Sequence, residues 1–320
     1  MLRNALLTLA GSSTARALVT RTPLRGISRR FVPGATVDDL LGAVRHARAA
    51  GLGTTVNYLG EAVRDEAQAL QAASVYVGVL DRLAAEGLPG NVSIKPTQLG
   101  QDISERVLDT ALERVLEKAR ATDAFVRFDM ESSAYTTRTL DTLVHLWSAG
   151  WRNVGVVLQA ALRRTAGDVV RMNELGVRVR LCKGAYAEPA GIAYQDKAEV
   201  DRSFLELMRR LLSGGAHPAI ATHDERMIDG TLDFTAAEGI GADVFEFQML
   251  HGVRRDLQRQ LVADGWSVRV YIPFGEQWYP YLMRRLAERP ANVLFLAGSV
   301  VRESPLRFLW PGGRSSRRRR

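Results

Sequence analysis

Short apolar runs alternate with longer amphipathic stretches from Gly51 to the neighbourhood of Glu288. The short runs, rich in β-branched and aromatic residues, predict strands at 54–58, 92–96, 125–130, 154–159, 177–183, 219–223, 244–250 and 267–273. The stretches between them repeat apolar positions at helical spacing and predict helices over 61–86, 103–120, 134–149, 164–175, 198–213, 224–238, 253–264 and 277–289. Strands that alternate with helices in this way pair in parallel, and eight such units in about 240 residues predict a closed (β/α)8 TIM barrel. An open, doubly wound sheet is the second reading. It is weakened because no Gly-x-Gly-x-x-Gly follows the first strand.

Upstream of the alternation, residues 2–20 read as an apolar helix punctuated by arginine. An Arg-rich, Ser-containing, acid-free start also fits a mitochondrial transit peptide. A structural helix is preferred, because the pattern runs unbroken into Phe31-Val-Pro-Gly34. Thr36-Val-Asp-Asp39 then caps a helix over 37–50. The expected organisation is an N-terminal helical segment (1–50), the barrel (51–290) and a C-terminal extension (291–320) with a basic tail, disordered after Pro311.

Composition changes this picture little. Apolar residues make up 46% and charged residues 24%, ordinary values for a globular protein. No apolar run approaches membrane-spanning length. The single cysteine, Cys182, excludes an intrachain disulfide and fits a reducing, cytoplasmic compartment. The net charge of +8 gathers at the ends: acidic residues are absent from Met1 to Val37, and Arg314 and Arg317–Arg320 close the chain. Such ends suit peripheral contact with the inner face of an anionic membrane, or a solvated tail. A nucleic-acid binder would spread its basic residues over one folded face, so that class ranks last.

Candidate chemistry collects where a barrel places it, at the C-terminal ends of strands. Those ends carry Ser93 and Lys95, then Arg127, Asp129, Met130 and Glu131, then Gln159, then the run Arg180-Leu-Cys-Lys183-Gly184-Ala185-Tyr186. Thr222, His223 and Asp224 follow, then Glu246, Gln248, Leu250 and His251, then Tyr271 to Gly275. Any one of these has a bland explanation: Lys95 as a solvated lysine, Asp129 as a helix cap, Gln159 as a partner of backbone groups. One per strand, in register, is a site. His223 and His251 lack a well-spaced third ligand, so no metal is expected. Cys182, between Arg180 and Lys183, is expected to turn away from both as a buried structural cysteine. Past the last strand, Tyr281, Arg284, Arg285 and Glu288 fall at i, i+3, i+4 and i+7, one helix face that would clamp a carboxylate between two guanidinium groups.

These runs resemble the proline dehydrogenase family, including the proline dehydrogenase domain of bifunctional proline utilisation A proteins. The resemblance rests on Ser93-Ile-Lys95, Phe128-Asp-Met-Glu131, Val157-Leu-Gln159, Arg180 to Tyr186, Ala221-Thr-His223, Phe245 to Gly252, Val270 to Gly275 and Tyr281-x-x-Arg-Arg-x-x-Glu288. It implies a distorted barrel with FAD at its mouth, oxidation of L-proline to Δ1-pyrroline-5-carboxylate, and a quinone acceptor. With no aldehyde dehydrogenase module following, only that first step is expected of this chain. By resemblance, Lys95, Arg284 and Arg285 hold the proline carboxylate and Glu288 anchors Arg284. Asp129 pairs with these cations, orients Lys95 and, with Arg180, frames flavin and substrate as the catalytic pair; Arg180 lies near flavin N5. Tyr186, Leu250 and Tyr271 enclose the pyrrolidine ring, and bulky Tyr271 favours proline over 4-hydroxyproline. Met130, Gln159, Arg180, Lys183, Gly184, Ala185, Thr222 and His223 bind the flavin. A Schiff-base aldolase using Lys95 or Lys183 is the distant alternative.

Overall fold

A computed structural model describes residues 29–60, 63–279 and 281 of this chain. The expected helix at 2–20, the positions Arg284, Arg285 and Glu288, and the C-terminal extension lie outside the described residues. Helix α1 (Val37–Ala49) starts as its sequence signal requires: Thr36 Oγ1 accepts from Asp39 N, and the Asp39 carboxylate accepts from Thr36 N. The chain then runs through β1 (Gly53–Tyr58), α2 (Glu66–Ala85), β2 (Asn91–Ile94), a 3-10 turn at Pro96–Leu99, α3 (Glu105–Ala121), β3 (Phe125–Phe128) and α4 (Ser133–Ser148). It continues as β4 (Val154–Gln159), α5 (Thr165–Leu175), β5 (Arg178–Cys182), α6 (Lys197–Gly214), β6 (Ala219–Ala221), α7 (Glu225–Glu238), β7 (Glu246–Leu250), α8 (Arg255–Ala263) and β8 (Val268–Phe274). Each strand pairs in parallel with the next, and β8 closes on β1 from Gly53↔Arg269 to Tyr58↔Phe274. Closure excludes the open doubly wound sheet.

Alternation along the strands sorts the side chains. One set, including Val56, Val92, Val126, Val156, Leu181, Phe247 and Ile272, joins the inner faces of the helices in one buried apolar core. Each fully buried side chain of this kind contributes roughly 1.5–3 kcal/mol. The alternate set points into the barrel and is polar: Thr55, Asn57, Ser93, Arg127, Arg180, Glu246 and Gln248 are all buried. Barrel interiors are ordinarily filled by branched apolar residues, so this lumen is built for polar contacts.

Several strands stop short of the apolar runs that announced them. β2 ends at Ile94, β3 at Phe128, β5 at Cys182 and β6 at Ala221. Lys95, Asp129, Met130, Lys183, Thr222 and His223 are therefore the first loop residues rather than strand residues. After β2 the cause is local: Lys95 caps the 3-10 turn and Pro96, at its first position, cannot extend a ladder.

Candidate active site at the barrel mouth

A cavity of about 730 Å³ opens at the C-terminal ends of the strands. Every described residue that the resemblance assigns to substrate or flavin lines it; of the other candidates, Ser93, Arg127, Glu131, Glu246 and His251 do not. β2 and β3 supply Lys95, Asp129 and Met130; β4 and β5 supply Gln159, Arg180, Lys183, Gly184, Ala185 and Tyr186; β6 to β8 supply Thr222, His223, Leu250 and Tyr271. Tyr281 also lines it, tied by apolar contact to Val32, Leu59 and Trp278. Arg284, Arg285 and Glu288 are outside the described residues.

The floor is one connected polar group. Arg180 Nη1 donates to Asp129 Oδ1 at 2.9 Å and Nη2 to Ser93 Oγ at 3.0 Å. Tyr271 OH donates to the other Asp129 oxygen at 2.9 Å, and the Arg180 guanidinium lies 5.5 Å from the Tyr271 ring centroid. Burial, reinforced by the Asp129 charge, pushes the Tyr271 phenol well above its ordinary value, so it stays a donor. Below this layer Arg127 donates to Arg178 O at 2.9 Å; burial, with the nearby Arg180 charge, lowers its proton affinity. Glu246 receives Arg269 Nε on both oxygens at 2.9 Å. The Tyr76 hydroxyl, Asn57 and Gln98 brace this wall, with Asn57 Nδ2 on Ser93 O at 3.0 Å and Gln98 Nε2 on Tyr58 O at 3.0 Å.

The wall after β5 and β6 carries a second charged cluster. Lys183 Nζ is bound by Asp201 and, at 2.7 Å, by Asp224. Lys197 reaches Asp201 at 2.7 Å, and Arg226 reaches Asp201 at 2.8 Å and Asp224 at 3.1 Å. Burial alone would raise both carboxyls, but the surrounding cations outweigh it and hold them below the ordinary carboxylate range. A lysine shared by two carboxylates is not the isolated, desolvated amine an imine-forming nucleophile needs, which weakens the aldolase reading. Gln159 Nε2 donates to Glu131 O at 2.8 Å, steering its carboxamide beside Gly184. His223 Nε2 accepts from Leu250 N at 2.8 Å, and burial, with Arg254 nearby, pushes its imidazole down to about 4. It is a neutral wall residue at physiological pH.

Two corrections follow. Cys182 is half-buried and lines the cavity rather than turning away from Arg180; two residues apart on one strand, the pair shares the inward face. The cluster partners Asp201, Lys197 and Arg226 were not foreseen. Only the i, i+4 spacing of Lys197 and Asp201 hinted at them. Among the described residues no group of three or more His, Cys, Asp or Glu is arranged to hold a metal ion.

A model of the family described as proline dehydrogenase matches residues 40–298. The chain is 38% identical over 306 residues to the proline dehydrogenase of Deinococcus radiodurans, covering 94% of this chain and 98% of that one. The chain belongs to the proline dehydrogenase family. Proline dehydrogenase 1 of Bacillus subtilis (strain 168) is 36% identical over 303 residues, 95% of this chain and 100% of the relative. Among solved structures, proline utilization A from Bdellovibrio bacteriovorus, inactivated by N-propargylglycine, superposes with a TM-score of 0.79 at 26% identity. That match covers 94% of this chain and 35% of the larger protein. A second proline utilization A structure, with proline bound in remote sites, gives a TM-score of 0.72 at 25% identity over 92% of this chain and 34% of that one. This chain thus spans about a third of those proteins.

Proposed function

We propose that this proline dehydrogenase family member oxidises L-proline to Δ1-pyrroline-5-carboxylate at a bound FAD. The observation that carries the reading is the Arg180–Asp129–Tyr271 group on the floor of a cavity lined by every described residue that the resemblance assigns to substrate or flavin. The residues fit a flavin. Gly184 has φ +107°, and a Cβ there would lie 3.2 Å from both Gln159 Oε1 and Ala161 Cβ, so backbone itself forms that wall. Arg180 Nε and Gln248 Oε1, in two residues lining the cavity, are a buried donor and a buried acceptor without partners among the described residues. A ring edge that alternates acceptors and donors would suit them. The volume lies within the range of enclosed ligand sites.

Met130, Gln159, Arg180, Lys183, Gly184, Ala185, Thr222 and His223 would hold the cofactor. Bound FAD would supply the hydride acceptor for proline C5. Lys95, with Arg284 and Arg285, would take the substrate carboxylate, three cations on one anion in a partly dry site. Tyr186, Leu250 and Tyr271 would enclose the ring and exclude water, and Glu288 would anchor Arg284. Asp129, gripped from two sides, would keep Arg180 extended toward the reacting centre and balance its charge. The ring nitrogen must be neutral when C5 loses hydride, since its lone pair stabilises the forming iminium.

A quinone-class acceptor would close the cycle. The arginines at 314 and 317–320, with those near the N-terminus, would hold the protein at an anionic membrane surface. No helix among the described residues is long and apolar enough to cross a bilayer. Deleting 314–320 is expected to weaken binding to anionic liposomes, and unchanged binding would remove that part of the reading. The activity itself is tested by incubating the FAD-loaded protein with L-proline and a dye acceptor and assaying for the cyclic imine. Dye reduction with stoichiometric imine is expected; neither signal appearing would overturn the assignment.

A further inference from the structure

Between β5 and α6 the chain runs along the cavity wall and is tied down on both sides. At the upstream end, Lys183 is held by Asp201 and Asp224. At the downstream end, Glu188 reaches across to α4, where Oε1 accepts from Ser133 N at 2.7 Å and Oε2 from Ser133 Oγ at 2.5 Å. Ser132, the N-cap of α4, makes no side-chain cap bond of its own. Glu188, 55 residues away from Ser133, supplies the carboxylate that this helix start lacks. Beyond Glu188 the chain stays anchored: Gln195 Nε2 donates to Glu188 O at 3.1 Å, Arg163 Nε to Ala190 O at 3.1 Å, and Tyr194 N to Ala161 O at 2.9 Å. Between these two ends lies an arch, Gly184–Ala187, turned at Gly184 by its φ of +107° and carrying Ala185 and Tyr186 on the cavity wall.

We propose that Glu188 is a positioning residue of the substrate pocket: clamped on Ser133, it pins the Gly184–Ala187 arch to the exit of β3 and so holds Tyr186 against the ring of bound L-proline. The inference rests on reading Tyr186 as part of the wall around proline. Glu188 touches neither substrate nor flavin. Its effect is to add a fixed attachment at the downstream end of this segment, so that less ordering is left for binding to impose. The tie also joins the two sides of the site, because α4 begins directly after Asp129, Met130 and Glu131.

The test compares wild type, Glu188→Ala and Glu188→Gln as FAD-loaded proteins. Glutamine retains both legs, its oxygen accepting from Ser133 N and its amide donating to Ser133 Oγ; alanine keeps neither. In Glu188→Ala, hydrogen–deuterium exchange at amides 184–188 and at Ser133 is expected to quicken. KM for L-proline should rise about five- to tenfold, the size of one net hydrogen bond, with kcat within about twofold. Glu188→Gln should restore both. Unchanged exchange in Glu188→Ala would show that there is no tie. Faster exchange with unchanged KM, or equal losses in the alanine and glutamine variants, would overturn the positioning role. A wild type that oxidises no L-proline would remove the functional reading and the role with it, while exchange would still report whether the tie exists.

Discussion

Asp129→Asn probes the floor of the site with almost no change of shape. Asp129 and Arg180 are 11% and 7% exposed at their side chains, so the pair is effectively desolvated. Removing one partner of a buried pair costs roughly 3–5 kcal/mol, because the other charge remains buried. Asparagine can still accept from Arg180 Nη1, and Ser93 Oγ still receives Nη2 at 3.0 Å, which places the expected loss near the lower end, about 3 kcal/mol. Among the described residues the lumen offers no substitute charge. Arg127 and Arg269 share the lumen, and Glu246 is already engaged by Arg269 on both oxygens. The measurement is urea unfolding followed by tryptophan fluorescence, with both proteins at equal flavin saturation. Asp129→Ala, which also removes the acceptors, should lose more. An Asp129→Asn protein within about 0.5 kcal/mol of wild type would refute the reasoning, since exposed or redundant pairs behave that way.

The other expectations concern acid stability, the arch and the second charged cluster. His223 and His251 both titrate near about 4 in the fold because of burial, against about 6.5 when unfolded. Between those values the unfolded chain binds more protons, so stability should fall as pH drops from about 6.5 to about 4, by up to about 1.4 kcal/mol per pH unit for each histidine. Urea midpoints across that range should fall less steeply in a His223→Gln, His251→Gln double variant. Gly184→Ala forces a side chain onto a φ of +107° and against Gln159; a cost of about 1–3 kcal/mol is expected, read as weaker FAD binding in titrations of the apoprotein. Lys183→Met strips a cation from two carboxylates at a site where its own side chain is 16% exposed. It should cost about 2–3 kcal/mol, whereas Arg226→Ala, 65% exposed at its side chain, should cost less than about 1 kcal/mol. Equal losses in the two variants would contradict this division of the cluster.

The barrel was legible because its signal is local and repeated. Each strand shows its apolar face at spacing two and each helix its stripe at 3.6, and eight repeats of that alternation leave few alternatives to closure. Strand ends were less legible, since an apolar run does not mark where ladder hydrogen bonds stop; Asp129 and Lys183 became loop residues for that reason. The site was readable as a set of residue types at strand ends, but not as pairs. Tyr271 meets Asp129 across 142 positions and Glu188 meets Ser133 across 55, separations at which no periodicity carries information. Asp201 looked like an ordinary polar position on an amphipathic helix, and only folding shows three cations converging on it. Cys182 was misplaced for a different reason. The spacing of two that unites it with Arg180 is visible in the sequence, but its neighbour Lys183 has left the strand, so alternation does not govern that pair.

The most direct test of the account is anaerobic. The FAD-loaded protein is mixed with L-proline and the visible flavin absorbance is followed, a signal that belongs to the cofactor alone. The account predicts bleaching by L-proline, with the imine formed in equal amount to the flavin reduced. A protein that binds FAD at this cavity and is not bleached by saturating L-proline would contradict the assignment of the substrate. A protein that cannot be loaded with FAD at all would contradict the reading of the cavity.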